Sequence, residues 1–127
     1  GIDGLILPGV SLDDPPEAIH AHIGAMIARG TPPDGFVCPG EVSAMAVHAA
    51  FADAGRAGDC RLVMKHTSGM AGIIRPRFDS IFEDLAEAGE MMGRLLLRAI
   101  AGDAPADLQH LFPAPPLIAG AAYEVRP

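Results

Sequence analysis

Short apolar runs alternate along this chain with longer segments whose apolar residues recur at helical spacing. That alternation constrains the fold more than any other feature of the sequence. The apolar runs are Leu5-Ile6-Leu7, Gly35-Phe36-Val37-Cys38, Arg61-Leu62-Val63-Met64 and Phe78-Asp79-Ser80-Ile81-Phe82. Each reads as a strand, and further short extended segments follow between Leu108 and Val125. Helical segments lie between most of them, so the order is strand-helix-strand-helix-strand-loop-strand-helix-strand. Strands that alternate with helices form a mainly parallel sheet with right-handed crossovers. The expected class is α/β. Because the sheet begins on a lone short strand, a further strand-helix unit is expected to complete it.

The helix boundaries are punctuated. In Asp14-Pro15-Pro16-Glu17, Asp14 can cap, Pro15 suits the first helical position and Glu17 completes a capping-box-like spacing. Ile19, Ile23, Met26 and Ile27 then make one apolar face, and Arg29-Gly30 ends it. A second helix is expected over 40–54, ended by Gly55. It is apolar on two sides: Val42, Met45, Ala46 and Ala49 on one, Ala44, Val47, His48 and Phe51 on the other. A helix with two apolar faces needs two partners. One is the sheet, and the second is expected to be a subunit interface. A third helix is expected over 83–101, with Leu85, Gly89, Met92, Leu96 and Ile100 in one stripe and Gly102 as its stop. Residues 65–77 form a long loop.

Charge excludes some partners. Nine Lys and Arg against sixteen Asp and Glu leave a net charge of −7, which repels a phosphate backbone. No apolar stretch approaches the roughly 18 residues of a membrane span, and no signal-peptide pattern opens the sequence. Cys38 and Cys60 both sit in or beside apolar runs and read as buried structural thiols of a reducing cytoplasm. No Cys/His spacing points to zinc.

Four blocks carry a resemblance. The first is Pro33-Asp34-Gly35-Phe36-Val37-Cys38, a helix ending in Ala54-Gly55, and Leu62-Val63. The second is Ile73-Ile74-Arg75-Pro76-Arg77-Phe78-Asp79-Ser80-Ile81. The third is Gly89 followed by Leu95-Leu96-Leu97-Arg98-Ala99-Ile100-Ala101-Gly102, and the fourth Leu111-Phe112-Pro113-Ala114-Pro115-Pro116-Leu117-Ile118. In this order and spacing the chain resembles the C-terminal portion of lactose-repressor/galactose-repressor transcription regulators, from about Leu7 to Ile118. The resemblance implies a three-layer α/β sandwich, part of a type I periplasmic-binding-protein-like subdomain. Residues 1–127 would then be the C-terminal part of an effector-binding domain. A DNA-binding helix-turn-helix and an N-terminal subdomain would lie outside them. The chain departs from the family where Asn-Asp is replaced by Pro39-Gly40, and where an aromatic and an Asp are replaced by Lys65-His66. Those family positions commonly hydrogen-bond sugar hydroxyls.

Candidate chemistry follows from position. Lys65 and His66 end a parallel strand, where ligands bind in open α/β sheets. A cation pair there suits an anionic effector such as a sugar acid or phosphate; the alternative is a solvated loop start. Pro39-Gly40-Glu41 lies at the second helix's N-terminus, which also follows a strand end. Free backbone N–H groups there can hold an anion, although Glu41 adds an opposing charge, and the alternative is a plain helix start. Ala44, Val47, His48, Phe51, Met70 and Ile73 are the expected homodimer face, with His48 and Phe51 as its exposed members. His20 and His22 are two apart on a helix and do not share a metal. Ser68-Gly69 lacks the nucleophile-elbow frame, and Gly69 with Gly72 makes no phosphate loop. No acid, base and nucleophile converge, so an enzyme is not expected, and neither is a cofactor or a metal.

The expected function is small-molecule sensing and dimerisation within a cytoplasmic transcription regulator, a repressor in the family's usual mode. DNA contact would come through the N-terminal part. A periplasmic sugar- or metabolite-binding protein of a transporter shares the fold and is the second reading. A flavodoxin-like enzyme is the third.

Overall fold

The structure, a computed structural model, describes residues 6–11, 14–68, 73 and 78–120. It contains α1 (Pro16–Ala28), β1 (Gly35–Cys38), α2 (Glu41–Asp53), β2 (Arg61–His66), β3 (Asp79–Phe82), α3 (Leu85–Ile100), a 3-10 turn (Pro105–Leu108) and β4 (Leu117–Ile118). The sheet order is β1-β2-β3-β4. β1, β2 and β3 are parallel, in the register Cys38↔Met64↔Ser80, and β4 returns antiparallel with Leu117 opposite Ile81. The α/β class and the mainly parallel sheet therefore stand as expected.

Strand alternation decides the core. In β1 and β2 every second side chain is buried, and these are Phe36, Cys38, Leu62, Met64 and His66. Helices α1 and α2 cover that face. α2 lays Ala44, Val47 and Phe51 into the core, and α1 packs on α2 and adds Ile19 and Ile23. Small residues let the elements approach closely, and Phe51 fills the remaining space edge-on to Phe36 at 6.1 Å between ring centroids. The other sheet face is open. Val37 points there and is 86% exposed, with Leu117 further along the same face.

All three helices end alike. After α2, Gly55 at φ +70° donates to the Ala52 carbonyl at 2.9 Å and Arg56 donates to Phe51 at 2.7 Å, a Schellman closure that needs the left-handed conformation. Gly30 and Gly102 close α1 and α3 in the same way. The start of α1 differs from expectation. Pro15 is its N-cap and Pro16 its first residue, while the Asp14 carboxylate accepts from the Ser11 amide instead. A proline at the first helical position has no N–H to satisfy, which leaves less for a cap to do there.

Among the described residues the expected first strand is not formed. Ile6 and Leu7 pair with no strand, and Leu5 lies outside the described residues. So short a run, ended by Pro8 and a turn at Gly9 with φ +78°, gives too few ladder bonds to hold a register. Leu7 instead packs loosely against the core.

Helix α3 keeps its whole apolar stripe, Leu85, Met92, Leu96 and Ile100, in the open and buries no residue. Local terms define it. Asp84 Oδ1 accepts from the amides of Ala86 and Glu87 at 2.9 and 3.1 Å. Glu90 pairs with Arg94 at i,i+4, and Arg98 meets Asp103 at 2.6 Å beyond the helix end. The third layer of the sandwich is thus open among the described residues.

Candidate functional site

The C-terminal ends of β1, β2 and β3 bring together the loop starts at Glu41, Thr67 and Glu83. Alternation then separates the two residues expected to act jointly. Lys65 and His66 are neighbours on one strand, so their side chains leave on opposite faces.

His66 turns toward the face covered by the helices and is 7% exposed. Its Nδ1 lies 3.2 Å from the Ser68 carbonyl, which can only accept, so Nδ1 is the donor in that bond and Nε2 is not engaged by it. That Nε2 is buried and has no hydrogen-bond partner among the described residues. The ring rests on Phe82, 5.2 Å between centroids. Ser68 Oγ donates to Glu41 Oε1 at 3.0 Å, which ties the loop after β2 to the first turn of α2. Glu41 and Ser68 line an open groove of about 810 Å³ between α1 and α2, with Pro16, His20, Val42 and Met45 in its walls. His20 Nε2 meets Asp53 Oδ2 at 2.9 Å and bridges the two helices.

Lys65 lies on the other side. Its Nζ is 2.8 Å from Glu83 Oε2, so the cation expected to await an anionic effector is already neutralised. It lines a second cleft of about 690 Å³, walled by Phe82, Phe112 and Pro115 and containing Asp84 and Glu87. The expected trio of Lys65, His66 and Glu41 is therefore divided. His66 and Glu41 share the Ser68 network, and Lys65 belongs to a different cleft. Among the described residues no three His, Cys, Asp or Glu side chains gather where they could hold a metal ion. No helix among them is long and apolar enough to cross a membrane.

The expected dimer face is corrected by burial. Ala44, Val47 and Phe51 are core residues, with Phe51 1% exposed, and none has surface to offer a partner. His48 is half-buried against the edge of Phe78 at 5.5 Å, and burial holds its pKa below the usual 6.5. Ile73 is exposed, and Met70 lies outside the described residues. The outward side of α2 is the one carrying Val42, Met45 and Ala49, which the groove exposes. The largest side chain of the helix, Phe51, decides the choice, because burying it removes the most apolar surface from water.

Cys38 and Cys60 are buried free thiols. Desolvation pushes Cys38 up to about 11 against a Ser43 hydrogen bond that lowers it. Cys60 is pushed up to about 12 by burial first, then by Cys38 and Asp34. Both are protonated and unreactive at neutral pH.

Sequence reasoning missed Ser68, Glu83, Asp84, Glu87 and Phe112. One signal was available: Asp84-x-x-Glu87 has capping-box spacing just before the apolar stripe of α3.

No family model matches the chain, and no curated protein matches it by sequence. Among solved structures, the chain is similar to a LacI family transcriptional regulator from Arthrobacter sp. FB24 in complex with lactose. The TM-score is 0.59 at 22% identity, over 70% of this chain and 34% of that one. The chain thus spans about a third of that regulator's length, and the likeness is one of fold.

Proposed function

We propose that this chain is the ligand-sensing part of a bacterial transcription regulator of the lactose-repressor type. In this reading it binds a small-molecule effector and acts in a homodimer. The observation that carries it is the fold: a parallel sheet with polar groups at its strand ends, similar to about a third of a regulator whose structure holds lactose. Fold alone hosts many functions, so the site must add weight. Two clefts at the strand ends, of about 810 and 690 Å³, have the size that small molecules occupy. The reading without enzymatic activity is supported by the buried thiols, whose pKa values are raised, and by the Ser68 hydroxyl, which donates to the Glu41 carboxylate. DNA contact belongs to the rest of a longer polypeptide, since a charge of −7 repels phosphates. The effector would act by binding one of two arrangements of the regulator more tightly than the other.

A gel-shift experiment on the complete gene product with its own upstream DNA, with and without small metabolites, tests this. The expected result is specific DNA binding whose affinity changes with one metabolite. A product that binds no DNA and is found outside the cytoplasm would instead support the transport-protein reading.

A further inference from the structure

The cleft beside α3 has a charge balance that its size alone does not convey. Its one cation among the described residues, Lys65, is held by Glu83 at 2.8 Å. Asp84 uses Oδ1 to cap α3, and Oδ2 has no partner among the described residues. The Glu87 amide donates to that Oδ1, but its carboxylate makes no hydrogen bond or ion pair among the described residues. The other cations of α3 are committed elsewhere, Arg94 to Glu90 and Arg98 to Asp103. Among the described residues, two carboxylates therefore stand uncompensated at one end of a cleft whose other walls include Phe82, Phe112 and prolines. An anion entering it meets repulsion. An ammonium meets charge-assisted hydrogen bonds to Glu87 and Asp84, and aromatic faces that attract cations.

We propose that this cleft binds a small organic cation, a protonated amine carried on an apolar or aromatic body. The ammonium lies against Glu87 and Asp84, and the body lies between Phe82 and Phe112. Treating that cation as the effector rests on the sensing role proposed above. The binding does not rest on it, and the experiment reads binding alone.

The 127-residue chain, labelled with nitrogen-15, is titrated with phenethylammonium, with 2-phenylethanol and with phenylacetate at pH 7. These probes share a body and differ in charge. The expected result is saturable movement of the amides of Phe82, Glu87, Ala88 and Phe112 with the ammonium, about tenfold weaker with the alcohol and absent with the carboxylate. Glu87→Gln is expected to weaken ammonium binding about tenfold. Its unchanged spectrum elsewhere establishes that the fold is intact. The proposal is overturned if the ammonium produces no saturable movement, if alcohol or carboxylate binds as tightly, or if Glu87→Gln leaves the affinity unchanged. If DNA binding by the whole protein fails while the amine binds this chain, the regulator reading falls and this site remains.

Discussion

Replacing Phe51 by alanine separates a core residue from an interface residue. Phe51 is 1% exposed and meets Phe36 edge-on at 6.1 Å, so the substitution removes a whole ring from the space between α2 and the sheet. Phe→Ala changes in cores cost about 3–5 kcal/mol, and loss of an aromatic pair places this one in the upper part of that range. Domain stabilities are about 5–15 kcal/mol, so the variant stands close to unfolding. Urea denaturation followed by circular dichroism measures the loss as a lower midpoint at constant slope. If Phe51→Ala is unfolded without urea, Phe51→Leu serves in its place, with an expected loss of about 1–2 kcal/mol. The control is Leu96→Ala on α3, where the side chain is 62% exposed and the expected loss is under about 0.5 kcal/mol. The reasoning is refuted if Phe51→Ala costs less than about 1 kcal/mol and changes only the oligomeric state, or if Leu96→Ala costs as much as Phe51→Ala.

Three further predictions follow from the same geometry. Ellman's reagent at pH 8 should modify neither Cys38 nor Cys60 in the folded chain and both after denaturation; rapid native labelling would contradict their burial and the pKa values of about 11 and 12. Because those folded values lie above the ordinary 9.0, the thiols contribute nothing to pH dependence below it, and stability falls as pH rises from about 9 toward 12. His48 has the opposite sense: its folded pKa lies below 6.5, so stability is flat above that pH and falls below it as the unfolded chain takes up the proton first. His48→Gln should flatten the urea midpoint between pH 7.5 and 5.5, and an unchanged slope would assign it elsewhere. Asp84→Ala removes the cap on Ala86 and Glu87 and should cost α3 about 0.5–2 kcal/mol. Because α3 buries nothing, the loss should appear as reduced helical signal at 222 nm and leave the urea midpoint of the core nearly unmoved.

Much of this architecture is written locally. Pro16 starts α1, and Gly30, Gly55 and Gly102 stop the three helices where the sequence places them, because first-turn and closing hydrogen bonds involve only near neighbours. The strands at Gly35–Cys38 and Arg61–His66 announce themselves as apolar runs, and the second is extended by Lys65 and His66 through pairing with β3. The candidate site was legible only as a position, the end of β2. Its partners come from distant segments: Glu83 reaches Lys65, and Ser68 links to Glu41 across 27 residues. No periodicity encodes such pairs.

The sequence by itself determined the α/β class, the glycine stops of the helices and the acidic balance, since each rests on local spacing or on summed charge. Tertiary structure alone decided which apolar side of α2 became core. Either stripe satisfied the 3.6-residue period, and the fit of Phe51 against Phe36 broke the tie. It likewise decided that Lys65 and His66 serve different clefts and that Lys65 is neutralised by Glu83, because the pleat sends neighbours to opposite faces and brings remote chain segments within reach of each.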